Sequence, residues 1–128
     1  MARTTFRRKD ILKAMTEIFG SVSSNVFVNT RPSATDDAMK DFIVVSLPNG
    51  MRDYHAYQDA YCTIEVFARN RKGGIEATDV LDTMQQAVTD KLPVSNELFS
   101  ITEPRLLPGG DDRMGFHCLI IQARMLIK

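Results

Sequence analysis

Between residues 60 and 92 the hydrophobic period of the chain switches from two to about 3.6, and that switch limits the possible folds more than any other feature. From residue 61 to 70 the side chains alternate. Cys62, Ile64, Val66 and Ala68 fall on one side, Tyr61, Thr63, Glu65, Phe67 and Arg69 on the other. Alternation predicts a strand with one face better buried than its opposite. Arg71-Lys72-Gly73-Gly74 breaks the run, because two glycines reach backbone conformations closed to β-branched residues. Beyond the break Ala77, Val80, Leu81, Met84, Ala87, Val88 and Leu92 recur three and four apart, the apolar stripe of a helix. A strand feeding a helix through a short turn lays the helix back on the sheet and buries both apolar faces together.

The flanking segments supply the other elements. Ile11, Leu12, Met15, Ile18 and Phe19 form one stripe and predict a helix over residues 9–19, preceded by a basic arm at residues 1–8. Val26, Phe27 and Val28 read as a short strand, and residues 31–40 as a loop without periodicity. Residues 41–47 are a continuous apolar run, as in a strand buried on both faces. Pro48-Asn49-Gly50 signals a turn, and residues 48–58 read as the protruding tip of a long hairpin. Residues 98–102 form a short strand that Glu103-Pro104 interrupts, and Pro108-Gly109-Gly110-Asp111-Asp112 reads as a second turn. Residues 114–127 are the last strand. Leu119, Ile121, Ala123, Met125 and Ile127 occupy one face; Phe116, Cys118, Ile120, Gln122, Arg124 and Leu126 occupy the other. Two largely apolar faces place this strand centrally, or put a neighbouring subunit on its second face. The expected fold is a single α+β domain over residues 1–128, a mainly antiparallel sheet with two helices packed on one face, in the order α-β-β-β-α-β-β.

Composition narrows the function. Sixteen Lys and Arg balance sixteen Asp and Glu, so the net charge is zero, which argues against a dedicated nucleic-acid binder. The balance also leaves little long-range self-repulsion to oppose association. No apolar run approaches the roughly 20 residues of a membrane span, and the N-terminal segment lacks the apolar stretch of a signal peptide. The chain reads as one made and folded in a cytoplasm. Cys62 and Cys118 lie far apart in predicted strands and read as buried free thiols. Asp36-Asp37 lack a third oxygen ligand at loop spacing, so no metal is expected there.

No catalytic pattern stands out. The nucleophile elbow, the phosphate-binding Gly-rich loop and the dinucleotide fingerprint are all missing from the sequence. His55 and His117 have no local nucleophile or paired carboxylate. Arg69, Arg71 and Lys72 precede the Gly-Gly turn and could hold a phosphate at a helix N-terminus, but the helix turns acidic at Glu76, Asp79 and Asp82. Neither an enzyme nor a cofactor protein is expected. Arg52, Asp53, Tyr54, His55 and Tyr57 at the hairpin tip are the residue types that anchor protein–protein contacts, and equally those of an ordinary solvated tip.

An N-terminal helix, a Pro-containing loop, the buried strand at residues 42–47 and the phrase Val66-Phe67-Ala68-Arg69-Asn70 running into a helix resemble the tail terminator (tail completion) proteins of long-tailed bacteriophages. The resemblance spans nearly the whole chain. It implies a ring of identical subunits, commonly six, that caps the tail tube and joins it to the head–tail connector, with no catalytic residues to carry over. Its implied location is the bacterial host cytoplasm and then the virion tail. On this reading the hairpin-tip residues and the loop at residues 31–40 face the tube or connector. Arg69, Arg71, Lys72, Phe116 and Ile120 serve subunit packing. Its basic arm and tyrosine-rich tip depart from a plain family member. Two rivals stand beside it: a small-ligand or regulatory α+β module with a pocket between helix and sheet, and a small enzyme centred on His55, His117 or Asp111-Asp112.

Overall fold

A computed structural model describes residues 8–32, 39–47 and 58–127. Most of the basic arm (1–7), the Asp36-Asp37 pair and the hairpin tip with Arg52, Asp53, Tyr54, His55 and Tyr57 lie outside these residues. The elements run α1 (Arg8–Phe19), β1 (Val26–Val28), β2 (Asp41–Ser46), β3 (Gln58–Arg69), α2 (Thr78–Thr89), β4 (Val94–Ser95), β5 (Phe99–Asp111) and β6 (Phe116–Ile127). The strands form one mixed sheet in the order β1-β2-β3-β6-β5-β4. The predicted switch of period falls where the chain turns from β3 to α2. Gly73 and Gly74 both take φ near +80° there, at 84° and 77°, which explains the glycine pair.

Three details correct the expected sheet. β1 pairs with β2 in parallel, Val26 opposite Ile43 and Val28 opposite Val45, so the sheet is not antiparallel throughout. Both strands therefore start at the same end of the sheet. The Ser23 hydroxyl donates to Asp41 Oδ1 (2.6 Å) and the Asn25 amide to the Asp41 carbonyl (3.1 Å), tying the two starts together. The sheet also has six strands where five are expected: the added one, β4, is two residues long, too short to show a period. Finally, Pro104 and the Pro108-Gly109-Gly110 run do not end a strand. β5 passes through both, with irregular register between Thr102 and Arg105 and between Pro108 and Gly110. Beyond Ile101 its outer side has no strand partner among the described residues, and a proline is tolerated there because no ladder bond needs its N–H. The turn falls after Asp111, where Asp111 Oδ1 accepts from Arg113 N (2.8 Å) and Asp112 Oδ1 accepts from Met114 N (2.7 Å).

Both helices pack on one face of the sheet, as expected. Ile11, Leu12, Met15 and Phe19 of α1 and Leu81, Met84 and Val88 of α2 share one core with Ile43, Val45, Ile64, Val66, Ile121, Ala123 and Met125. Each such side chain removed from water stabilises the fold by about 1.5–3 kcal/mol. β6 lies centrally, between β3 and β5; its first face is buried under the helices, while on its second face Phe116 and Cys118 are buried and Ile120 is half-buried. No described helix is long and apolar enough to cross a membrane.

Candidate functional site on the face opposite the helices

Alternation sends the other side chains of β2, β3 and β6 to the second face. Phe42 stands opposite Phe67, and Phe67 opposite Cys118 with Phe116 next along β6. These three rings and Val44 form a second, smaller core. Phe42 stacks on Phe67 at 4.4 Å between centroids and meets Phe116 edge-on at 5.0 Å, while Phe27 closes the side at 5.8 Å. Offset and edge-on pairs of this kind contribute about 0.5–1.5 kcal/mol each beyond their burial.

Two arginines close over the rings. Asn29, at φ 69°, bends the chain out of β1, a conformation asparagine tolerates better than most residues. Arg31 then lies across the sheet with its guanidinium 5.2, 5.8 and 5.7 Å from the centroids of Phe42, Phe67 and Phe116. It ends in an ion pair with Asp112, whose side chain is only 10% exposed. Arg69 covers the far side of Phe116 at 4.7 Å and donates from Nε to the Met39 carbonyl at 2.9 Å. A guanidinium over an aromatic face gains from the ring quadrupole while its fork stays free for hydrogen bonds. The segments on either side of residues 33–38 are thereby pinned to the sheet.

Beside the rings lies a cleft of about 330 Å³. Val44, Phe67 and Ile120 give it an apolar wall, Arg31 and Asp112 stand at one end, and Glu65 projects into it from the middle of β3. Burial pushes the Glu65 carboxyl above the ordinary carboxylate value. No cation among the described residues pairs with Glu65; the contact recorded for its carboxylate is the Cys118 thiol, 4.0 Å from Oε2. Burial, and then the Glu65 charge, push that thiol up to about 12; burial does the same to Cys62 in the main core. Both sulfurs are therefore protonated thiols near neutral pH and poor nucleophiles. β5 comes very close at this point: a Cβ on Gly109 would sit 2.8 Å from Cys118 Sγ and 2.9 Å from its carbonyl oxygen.

The residues nominated for packing separate into two groups. Arg69, Phe116 and Ile120 come together on this face, with Phe116 fully buried within the chain and Ile120 half-buried. Arg71 and Lys72 lie apart, at the turn before α2. Arg71 pairs with Asp79, and Lys72 is exposed with no partner among the described residues. His117 sits against the Asn70 side chain. Asp112, in the turn named above as one centre for an enzyme reading, is occupied by Arg31 and by backbone N–H groups of Met114 and Phe116. Among the described residues no group of three His, Cys, Asp or Glu could hold a metal ion.

In the sequence Glu65 has no mark beyond its place in the alternation, Arg31 stands out only as part of the loop at residues 31–40, and Asp112 only as part of the Asp111-Asp112 turn. Phe67 and Phe116 did share the second face in the alternation, and that was the available signal; nothing in an aperiodic loop marks Arg31 as the cover. Compared with known proteins, the chain matches no protein-family model and no curated protein.

Proposed function

We propose that this chain is an assembly subunit without catalytic activity. Copies of it form a closed homo-oligomeric ring, six in number, that caps a phage tail tube, joins it to the connector and ends tube growth by steric occlusion. The observation that carries this reading is the use the fold makes of residues 65–70, the phrase on which the resemblance rests. Phe67 is one of the stacked rings, Arg69 covers Phe116, Asn70 holds His117, and Glu65 faces a cleft. The phrase thus organises the one face of the sheet that the helices leave uncovered, which is where a subunit has surface to give to another protein. A ring of this kind needs a heterologous contact whose rotation closes the circle.

The test is native mass spectrometry and sedimentation velocity over a concentration series, alone and with purified tail tubes. A discrete hexamer, free or on tube ends, is the expected result. A chain that stays monomeric in both settings refutes the ring. The cleft favours one other reading, a small-ligand-binding or regulatory module, although it lies on the face away from the helices and not between helix and sheet: about 330 Å³ with the Glu65 carboxylate unpaired is room for a small molecule. A monomer that binds a small cation in that cleft would establish it instead.

A further inference from the structure

Glu65 is an anion without a countercharge among the described residues, and Lys72 is a cation without one. Glu65 is half-buried in its cleft against apolar walls, with a neutral thiol 4.0 Å away and no described cation beside it. A carboxylate withdrawn from water without a countercharge is costly to keep, and an incoming cation relieves that cost. Of the three cations at the end of β3, Arg69 is committed to Phe116 and Met39, and Arg71 to Asp79. Lys72 remains, and it is the one described lysine within a run of five exposed residues, 71–75, on the Gly73-Gly74 turn.

The two cannot meet within one chain. Glu65 and Arg69 are four strand residues apart, about 13 Å at about 3.3 Å per residue. Lys72 lies further on, past the point where the chain turns toward α2, beyond the reach of one lysine side chain. Between two chains that distance limit does not apply. The cleft is open to solvent and large enough for an unbranched aliphatic stem along Val44 and Ile120, with the ammonium reaching Glu65. Arg31 does not compete, because its guanidinium is held by Asp112 and the three rings.

We propose that the cleft receives the Lys72 side chain of a second copy, its ammonium pairing with Glu65, as the polar key of the subunit contact. This rests on the ring reading above. It is a head-to-tail contact, cleft of one subunit to turn of the next, which is the kind that generates rings.

The direct test is zero-length carbodiimide coupling on an equal mixture of unlabelled and 15N-labelled chains. The expected product is a hybrid peptide joining Glu65 of one isotope to Lys72 of the other. Lys72→Arg should abolish this product while keeping association. Glu65→Gln and Lys72→Glu should each weaken association at least tenfold, and Glu65→Lys with Lys72→Glu should restore it. Circular dichroism melts confirm that each variant folds, and Glu65→Gln carries the test if the lysine does not fit. Rings that form without the hybrid peptide, and that Glu65→Gln leaves equally tight, overturn this contact and leave the ring standing. A wild-type chain that never associates overturns both.

Discussion

Removing Arg31 and removing Asp112 should destabilise the protein unequally, and by less together than separately. The pair is well shielded, with side chains 18% and 10% exposed. Taking one partner from a buried pair costs about 3–5 kcal/mol in the extreme. Arg31→Met falls well short of that. Its aliphatic chain still covers the three rings, and Asp112 Oδ1 still accepts from Met114 N and Phe116 N at 2.7 and 3.1 Å. A cost of about 1–2 kcal/mol is expected from the lost charge-assisted bond and ring contact. Asp112→Ala does worse, because it strands a guanidinium over the rings and frees both N–H groups of the turn. About 3–4 kcal/mol is expected. In the double variant no charge is stranded, so the two costs should fall short of their sum by about 1–2 kcal/mol. For a chain of this length 1 kcal/mol moves Tm by roughly 3–5 °C. The assay is urea unfolding of the four proteins by circular dichroism at one fixed concentration, repeated in 1 M salt. A shielded pair keeps its coupling in salt. Coupling below about 0.5 kcal/mol, or coupling that salt removes, would refute the shielded strap and leave an ordinary surface pair.

Other expectations follow from the same face. Gly109→Ala places a methyl 2.8 Å from Cys118 Sγ and should cost about 1–3 kcal/mol by overpacking, read as a lowered urea midpoint; a neutral result would mean β5 does not approach Cys118 as described. Glu65 binds its proton more tightly folded than unfolded, so the native state holds more protons as pH rises above the ordinary glutamate value. Stability should fall with pH across that window and level off above the raised native value, and Glu65→Gln should flatten the slope; equal slopes in the two proteins would contradict the burial of this carboxyl. Both thiols, held near 12, should resist iodoacetamide at pH 8 in the folded protein. Cys118, in the smaller core, should be labelled before Cys62 in mild urea, and simultaneous labelling would show that the two cores open as one.

How far the sequence reveals this molecule depends on which interactions are local. The alternation of residues 61–69 and 116–127 and the stripe after Gly74 give β3, β6 and α2, with both faces of β6 correctly divided, because period is written into neighbouring residues. The parallel pairing of β1 depends on Ser23 and Asn25 finding Asp41, contacts 16 and 18 residues long that no local pattern announces. β5 is hidden for a different reason. Pro104 and Pro108 read as breakers unless one knows that this stretch has a neighbour on one side only among the described residues, and that is a property of the whole sheet. The site is the least legible part. Arg31 and Asp112 are 81 residues apart and are brought together by the sheet that lies between them in the chain.

The irregular course of β5 bears on how copies of this chain can come together. A long strand with one bare side is a template on which another chain can add its own strand, and addition of that kind has no natural end. With no net charge the molecule has no long-range repulsion to prevent it. Here the bare stretch carries Pro104 and Pro108, two breaks of register, and Glu103 in a left-handed conformation at φ 53°, so its row of hydrogen-bonding groups is neither straight nor complete. The opposite margin, β1, offers only three residues. Backbone-mediated growth into fibres is therefore disfavoured at both margins. Contacts between copies are left to side chains, whose fit can limit an assembly to a finite number of members.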